Sequence, residues 1–234
     1  MKKFIKRIFI LIILTALAVG GVYTYKGYNM YKSALGKTDI KEMVESVRAE
    51  DNYTTIDRLP KTYIDAVIAV EDHRFYDHGA IDILSIGRAL WNNLKSQKLI
   101  EGGSTITQQL AKNLYFTQEK KLERKVAEVF MARDFERLYG KDDILELYVN
   151  TIYFGSGYYC VYDASKGYFG VKPEDMTDYQ CTLLAGIPNA PSVYSLNANP
   201  ELAVQRQKQV LEKMVRYGCL TEDGAKEILN SGDN

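Results

Sequence analysis

The opening stretch limits this chain more than any other. Lys2, Lys3, Lys6 and Arg7 precede a run from Ile8 to Tyr25 that carries no charged residue. Hydrocarbon offers a backbone no hydrogen-bond partners, so a single apolar segment can cross a bilayer only as a helix that closes its own hydrogen bonds. A spanning helix takes roughly 17 to 25 residues, and a basic flank marks the cytoplasmic side. The sequence therefore predicts a short cytoplasmic N-terminus over 1–7, a transmembrane anchor over 8–25 and an extracytoplasmic remainder, in a single-pass protein of the cell membrane. A cleaved signal peptide is the rival reading, since Ala16-Leu17-Ala18 has small-x-small spacing. The apolar run continues beyond that site, which favours the anchor. Residues 26–58 are polar with few apolar repeats and read as a linker. The folded domain is expected over 59–234, from Leu59-Pro60 onward.

Of the 234 residues, 46% are hydrophobic and 26% charged, enough for one well-cored domain. Thirty basic residues balance thirty acidic ones, so no global field draws a nucleic acid, and none is expected as a partner. Any anion site must be local. Cys160, Cys181 and Cys219 form no CxxC pair and show no zinc spacing, so they read as buried small hydrophobes and no metal ligands are assigned.

The stretch AVEDHRFYDHG (69–79) holds both histidines among several carboxylates. Pro60 fits a first helical turn, and Ile64, Val67 and Ile68 follow at helical spacing, so a helix is predicted from Lys61 toward Glu71. That places Glu71 at the helix's negative end beside apolar Val70 and Phe75, surroundings that suit a general base. In EGGSTITQQLAKN, Gly102-Gly103 supplies a loop and Thr105 with Gln108 matches a capping box. The helix start, with Ser104, Thr105 and Thr107 nearby, would offer free N–H groups to phosphate or sugar oxygens. Further on, Lys112, Lys120, Lys121, Arg124 and Lys125 outweigh Glu119 and Glu123. Lys121, Arg124, Lys125 and Glu128 share one helical face, which predicts that Glu128 looks outward with the cations. The plain alternative is a solvated Arg124–Glu128 pair. Between these segments, ILSIGRALWNNLKSQKLI reads equally as a helix dipping into lipid or as an amphipathic helix packed on the domain.

VEDHRFYDHGAID, GGSTITQQLAKN, RKVAEVFMA, KDDILELYVN and LLAGIPNAPSVYS occur in that order and resemble the five motifs of family 51 glycosyltransferases, the bacterial peptidoglycan polymerases. The resemblance implies a mainly α, lysozyme-like transferase domain with a membrane-associated lobe, behind one N-terminal transmembrane helix. It implies lipid II and the growing glycan chain as substrates, the bilayer as a partner, and the cell-wall synthesis machinery as a further candidate. It assigns Glu71 and Glu128 as catalytic, with Glu71 the base and Glu128 orienting the donor or its cations. It assigns Asp72, Phe75, His78, Gly103, Ser104, Thr105, Gln108, Gln109, Lys112, Lys120, Arg124 and Lys125 to substrate binding, whereas His73 falls at a variable position. Asp72 and His78 are expected to build the corner that carries Glu71. No organic cofactor is implied; a divalent cation, magnesium or manganese, is an allowed assistant. A lysozyme-like hydrolase and a non-catalytic membrane-tethered scaffold are the alternatives. Ser-x-x-Lys and Lys-Thr-Gly motifs are absent, so the expected reading is a monofunctional enzyme or an excised transferase portion of a bifunctional protein.

Overall fold

In a computed structural model, residues 2–96, 102–117 and 121–233 are described; Lys98, Leu99 and Lys120 lie outside them. Among the described residues every regular element is helical. The first, α1 (Lys2–Leu35), contains a stretch long and apolar enough to cross a membrane, with mean hydropathy 2.2. Its apolar side chains from Phe4 to Val22 face outward.

The linker expected over 26–58 is instead largely helical and packed. α1 runs past residue 25 and lies along α6 (Leu122–Leu138), described below. At the crossing, Gly27 sits where a Cβ would fall 2.5 Å from Val126 Cβ. Tyr28 and Tyr31 of α1 pack against the Phe130 ring. Asp39 caps α2 (Ile40–Arg48) by accepting from Lys41 N and Glu42 N, and Ile40 and Val44 enter the core. Ile40, Met43, Val44 and Val47 make a short helical stripe that the polar composition conceals.

The helix expected from Lys61 is present as α3 (Lys61–Glu71), with Glu71 its last residue. α4 (Ile83–Ser96) buries only Ala89, while Ile83, Leu84, Leu90, Trp91 and Leu94 are exposed. Packing on the domain is therefore not what occupies its apolar face. α5 (Ile106–Tyr115) opens on the Thr105–Gln108 capping box. α6 and α7 (Lys141–Val149) pack on α5. α8 (Val161–Phe169) ends on Gly170, whose φ of 75° suits a residue without a Cβ. α9 (Asp178–Gly186), the single turn α10 (Pro191–Tyr194), α11 (Pro200–Arg216) and α12 (Glu222–Asn230) complete the chain. α3, α9 and α11 pack on one another as one layer, and α5, α6 and α7 form a second. One core joins them, with Tyr63, Phe75, Phe135, Tyr148 and Phe154 fully buried. Cys160 and Cys181 are buried as expected, but Cys219 lies exposed past the end of α11.

Candidate active site

Where α3 stops, the chain turns sharply: Asp72 leaves helical geometry, and its carboxylate is the hub of the corner. Asp72 Oδ1 meets His78 Nε2 at 2.8 Å, and Oδ2 accepts from Ile106 N at 3.1 Å. Asp72 thus ties the end of α3 to the first turn of α5. His78 Nδ1 lies 2.6 Å from Gly79 O, so both ring nitrogens are engaged. Thr105 closes the frame by donating to Ala80 O while its Oγ1 accepts from Gln108 N. These bonds hold the Glu71 backbone against the start of α5.

The Glu71 side chain is oriented by α5 and α7 together. Gln109 Nε2 donates to Glu71 Oε2 at 2.8 Å, and Tyr148 OH reaches Gln109 Oε1 at 3.4 Å, which fixes the amide's orientation. Burial, and then the Glu71 charge, push the Tyr148 phenol well above its usual pKa, so it remains a donor. Glu71 Oε1 is buried and has no hydrogen-bond partner among the described residues. One oxygen is anchored; the other is left for a reactant.

Glu71 borders a cleft of about 550 Å³ between the two layers. Ser104, Gln109, Lys112, Arg124 and Lys125, which the resemblance assigns to substrate binding, line it together with Arg88, Arg206, Lys213 and Arg216, against only Glu71 and Glu212 as anions. Lys112 makes no hydrogen bond or ion pair among the described residues; burial lowers its pKa from the usual lysine value, reinforced by Lys125 and Arg124 and opposed by Glu128 and Glu71. A half-buried ammonium without a partner is a site for an incoming anion.

Glu128 corrects the sequence reading: it does not look outward but is fully buried. Arg124 Nε lies 3.0 Å from its Oε1, close enough for an ion pair although the N–H does not aim along a hydrogen bond, and Lys125 Nζ meets Oε2 at 2.5 Å. Arg124 also donates to Thr117 O. Glu128 thus holds two of the cleft's cations from behind. Leu122, the first residue of this helix, is exposed.

Other expected contacts also fall away from the cleft. Phe75 is wholly buried, with the Lys141 ammonium 4.4 Å from its ring centroid. Gln108 is buried, its Oε1 accepting from Thr105 N, so it closes the cap and does not face a substrate. Thr105 and Asp72 are framework, and Gly103 lies against Ile86 of α4. Lys120 lies outside the described residues.

Sequence reasoning missed the residues of α11. Arg206, Gln209, Lys213 and Arg216 recur at three- and four-residue spacing and present one polar face to the cleft. Lys213 Nζ donates to Val70 O at 3.0 Å, one residue before Glu71. Arg206 is buried, donating to Gly186 O and to Gln209 Oε1. The available signal was this spacing of Arg206, Gln209, Lys213 and Arg216 beside the core positions Ala203, Val210, Leu211 and Met214.

A divalent cation needs several free oxygen ligands. Among the described residues, Asp72, His78 and Asp82 have donor atoms within 4.8 Å of one another. All are already engaged: Asp82 accepts from Leu84 N, Ser85 N, Ser85 Oγ and Arg74 Nε, and Asp72 and His78 are bonded as above. These residues do not fit a magnesium or manganese ion.

A sequence model of the family described as "Transglycosylase" matches residues 37–215. The chain is 41% identical over 187 residues to a putative transglycosylase of Cupriavidus necator, covering 79% of this chain and 80% of that protein. It is 43% identical over 178 residues to penicillin-binding protein 1A of Aquifex aeolicus, covering 76% of this chain and 24% of that protein. Against penicillin-binding protein 1A/1B of Bacillus subtilis, identity is 38% over 94% of this chain and 26% of that one. The chain thus spans about a quarter of the length of these penicillin-binding relatives.

Proposed function

The chain belongs to the transglycosylase family, and from that premise we propose that it polymerises peptidoglycan glycan strands from lipid II. The observation that carries this reading is the pairing of one Glu71 oxygen, without a partner among the described residues, with a cleft whose charged lining is mostly cationic. In the proposed displacement, the 4-hydroxyl of the incoming N-acetylglucosamine gives its proton to Glu71 Oε1 as its oxygen bonds to C1 of the growing chain's N-acetylmuramic acid. The C1–O bond to undecaprenyl pyrophosphate breaks, and the anomeric centre inverts. The leaving group departs as an anion and needs no proton. Lys112, Arg124 and Lys125 would hold its charge, in a site where fixed cations act without reorganising. Glu128 keeps Arg124 and Lys125 aimed, and Gln109 keeps the base from rotating.

A glycoside hydrolase would need a second carboxyl group free to protonate a sugar leaving group. Glu128 is committed to two ion pairs, which argues against that role. A scaffold would not require the partnerless oxygen. The basic N-terminal flank and α1 support an anchor with the cleft outside the cytoplasm, and the exposed apolar face of α4 supports contact with the bilayer that carries the lipid substrate. Incubating the purified chain with labelled lipid II, beside Glu71→Gln, tests the reading. Long glycan from the parent and none from the variant is expected. Equal products from both would remove Glu71 as base, and shortened pre-formed glycan would favour the hydrolase.

A further inference from the structure

His73 sits one residue beyond the Asp72 hub and joins three separate elements. Its ring stacks face to face on Tyr217, just past α11, with centroids 4.0 Å apart and planes at 17°. Its Nε2 lies 3.1 Å from Arg88 NH1 on α4. A guanidinium has only donors, so this contact exists only when Nε2 carries its lone pair and the imidazole is neutral. Arg88 NH2 donates to Ser85 Oγ, which donates to Asp82. An unbroken series of contacts therefore runs from Asp82 through Ser85, Arg88 and His73 to Tyr217.

Little of α4 is buried, although Asp82 caps its start and Ile86 lies against Gly103. Only Ala89 is buried, its exposed apolar face includes Trp91, and Arg88 projects into the cleft beside Ser104 and Lys112. We propose that His73 is a positioning residue, a neutral acceptor that latches Arg88 and α4 against α11 so that Arg88 serves as a further anion-binding cation over the cleft. This rests on the polymerase reading only for the identity of the anion.

The latch is sensitive to protonation. An imidazolium has no acceptor for Arg88 and repels it, so acid breaks this contact and loosens Arg88 and its part of α4 from α11. The groups around His73 set the balance: Arg88 on α4 and Arg74 in the corner favour the neutral ring, Asp72 and Asp82 favour the charged one, and Tyr217 of α11 covers its face. Arg216 and Lys213 add positive charge on the α11 side of the same cleft. Burial lowers the His73 pKa, with Arg88 next in effect, so the neutral form prevails at neutral pH.

Trp91 is the chain's single tryptophan and lies on α4, which gives a readout independent of activity. The test compares the full chain with His73→Gln, whose amide oxygen accepts without titrating, and with Arg88→Gln, in phospholipid nanodiscs between about pH 5 and pH 8. Trp91 emission and the apparent KM for lipid II are both followed. In the parent, emission is expected to shift on acidification, and KM to rise about fivefold with kcat little changed, the scale of one lost hydrogen bond. Both changes should vanish in His73→Gln, while Arg88→Gln should show the raised KM at every pH. Identical pH profiles of Trp91 emission in the parent and His73→Gln would overturn the latch, whether or not glycan is made. Absence of glycan with a His73-dependent emission shift would overturn the polymerase reading and leave the latch standing.

Discussion

Replacing Glu128 with glutamine separates a buried electrostatic role from a surface one. The carboxylate is fully buried, while the Arg124 and Lys125 side chains are 12% and 45% exposed. On a solvated helix face an i,i+4 pair is worth a few tenths of a kcal/mol, and its loss would scarcely register. Removing one partner of a buried pair costs about 3–5 kcal/mol, because the other charge is left uncompensated. Lys125 is open enough for water to relieve part of that, and glutamine still offers one acceptor, which brings the expectation to about 2–3 kcal/mol. Lys112 is close enough for its charge to feel both cations, so the repulsion falls on three groups. For a chain of this size each kcal/mol moves Tm by about 2–4 °C, so Glu128→Gln should melt roughly 5–10 °C below the parent. Scanning calorimetry of the detergent-solubilised chain reads this directly. Adding Arg124→Met to the variant should restore part of the loss, since it removes one of the stranded charges. A Glu128→Gln melt within about 1 °C of the parent would refute the burial argument and return Glu128 to the solvated face.

Gly27→Ala would bring a Cβ to 2.7 Å from Glu123 O, a backbone atom that cannot swing aside, so α1 should shift on α6 at about 1–3 kcal/mol; Gly21→Ala, with nothing within 4 Å, should melt with the parent. Lys112→Met should stabilise the fold while lowering glycan synthesis. The folded chain binds the Lys112 proton less tightly than the unfolded one, so the charged side chain opposes folding below its folded pKa, and parental stability should rise with pH between the folded and unfolded values. A Lys112→Met variant that is both less stable and inactive would contradict this. Asp82→Asn should destabilise the chain at neutral pH. Burial acts to raise the Asp82 pKa, but the Ser85 hydrogen bonds and the Arg74 and His78 charges prevail and hold it at about 2. The stabilisation is therefore present above the usual carboxylate range and lost as pH falls toward about 2, a convergence that pH-dependent melts of parent and variant should display.

What was legible in the sequence was local. The apolar run announced α1, the Ile64–Val67–Ile68 spacing placed Glu71 at the end of α3, and the Thr105–Gln108 pair marked the start of α5. Each of these signals is complete within a turn or two of chain, because helical period and capping depend on residues three and four apart. The cations on α5 and α6 were also visible, as charges without partners.

The sequence alone could not say which way a mixed face turns. Glu128 shares its stripe with Arg124 and Lys125, and composition favoured solvent; the fold buries it because two cations accompany it. The helical character of residues 26–58 was hidden because its stripe is short and its partners lie nearly a hundred residues away, where Tyr53 meets Glu146 and Thr54 meets Asn150. A still longer separation in sequence hid the face of α11 and the stack of His73 on Tyr217. By itself the sequence determined the long apolar segment, the helices α3 and α5 and the order of the motifs, since those follow from short-range periodicity and covalent order. Only the tertiary structure decided which charges are buried together and which oxygen of Glu71 is left unbonded, because burial and pairing depend on surfaces that meet only when the chain is folded.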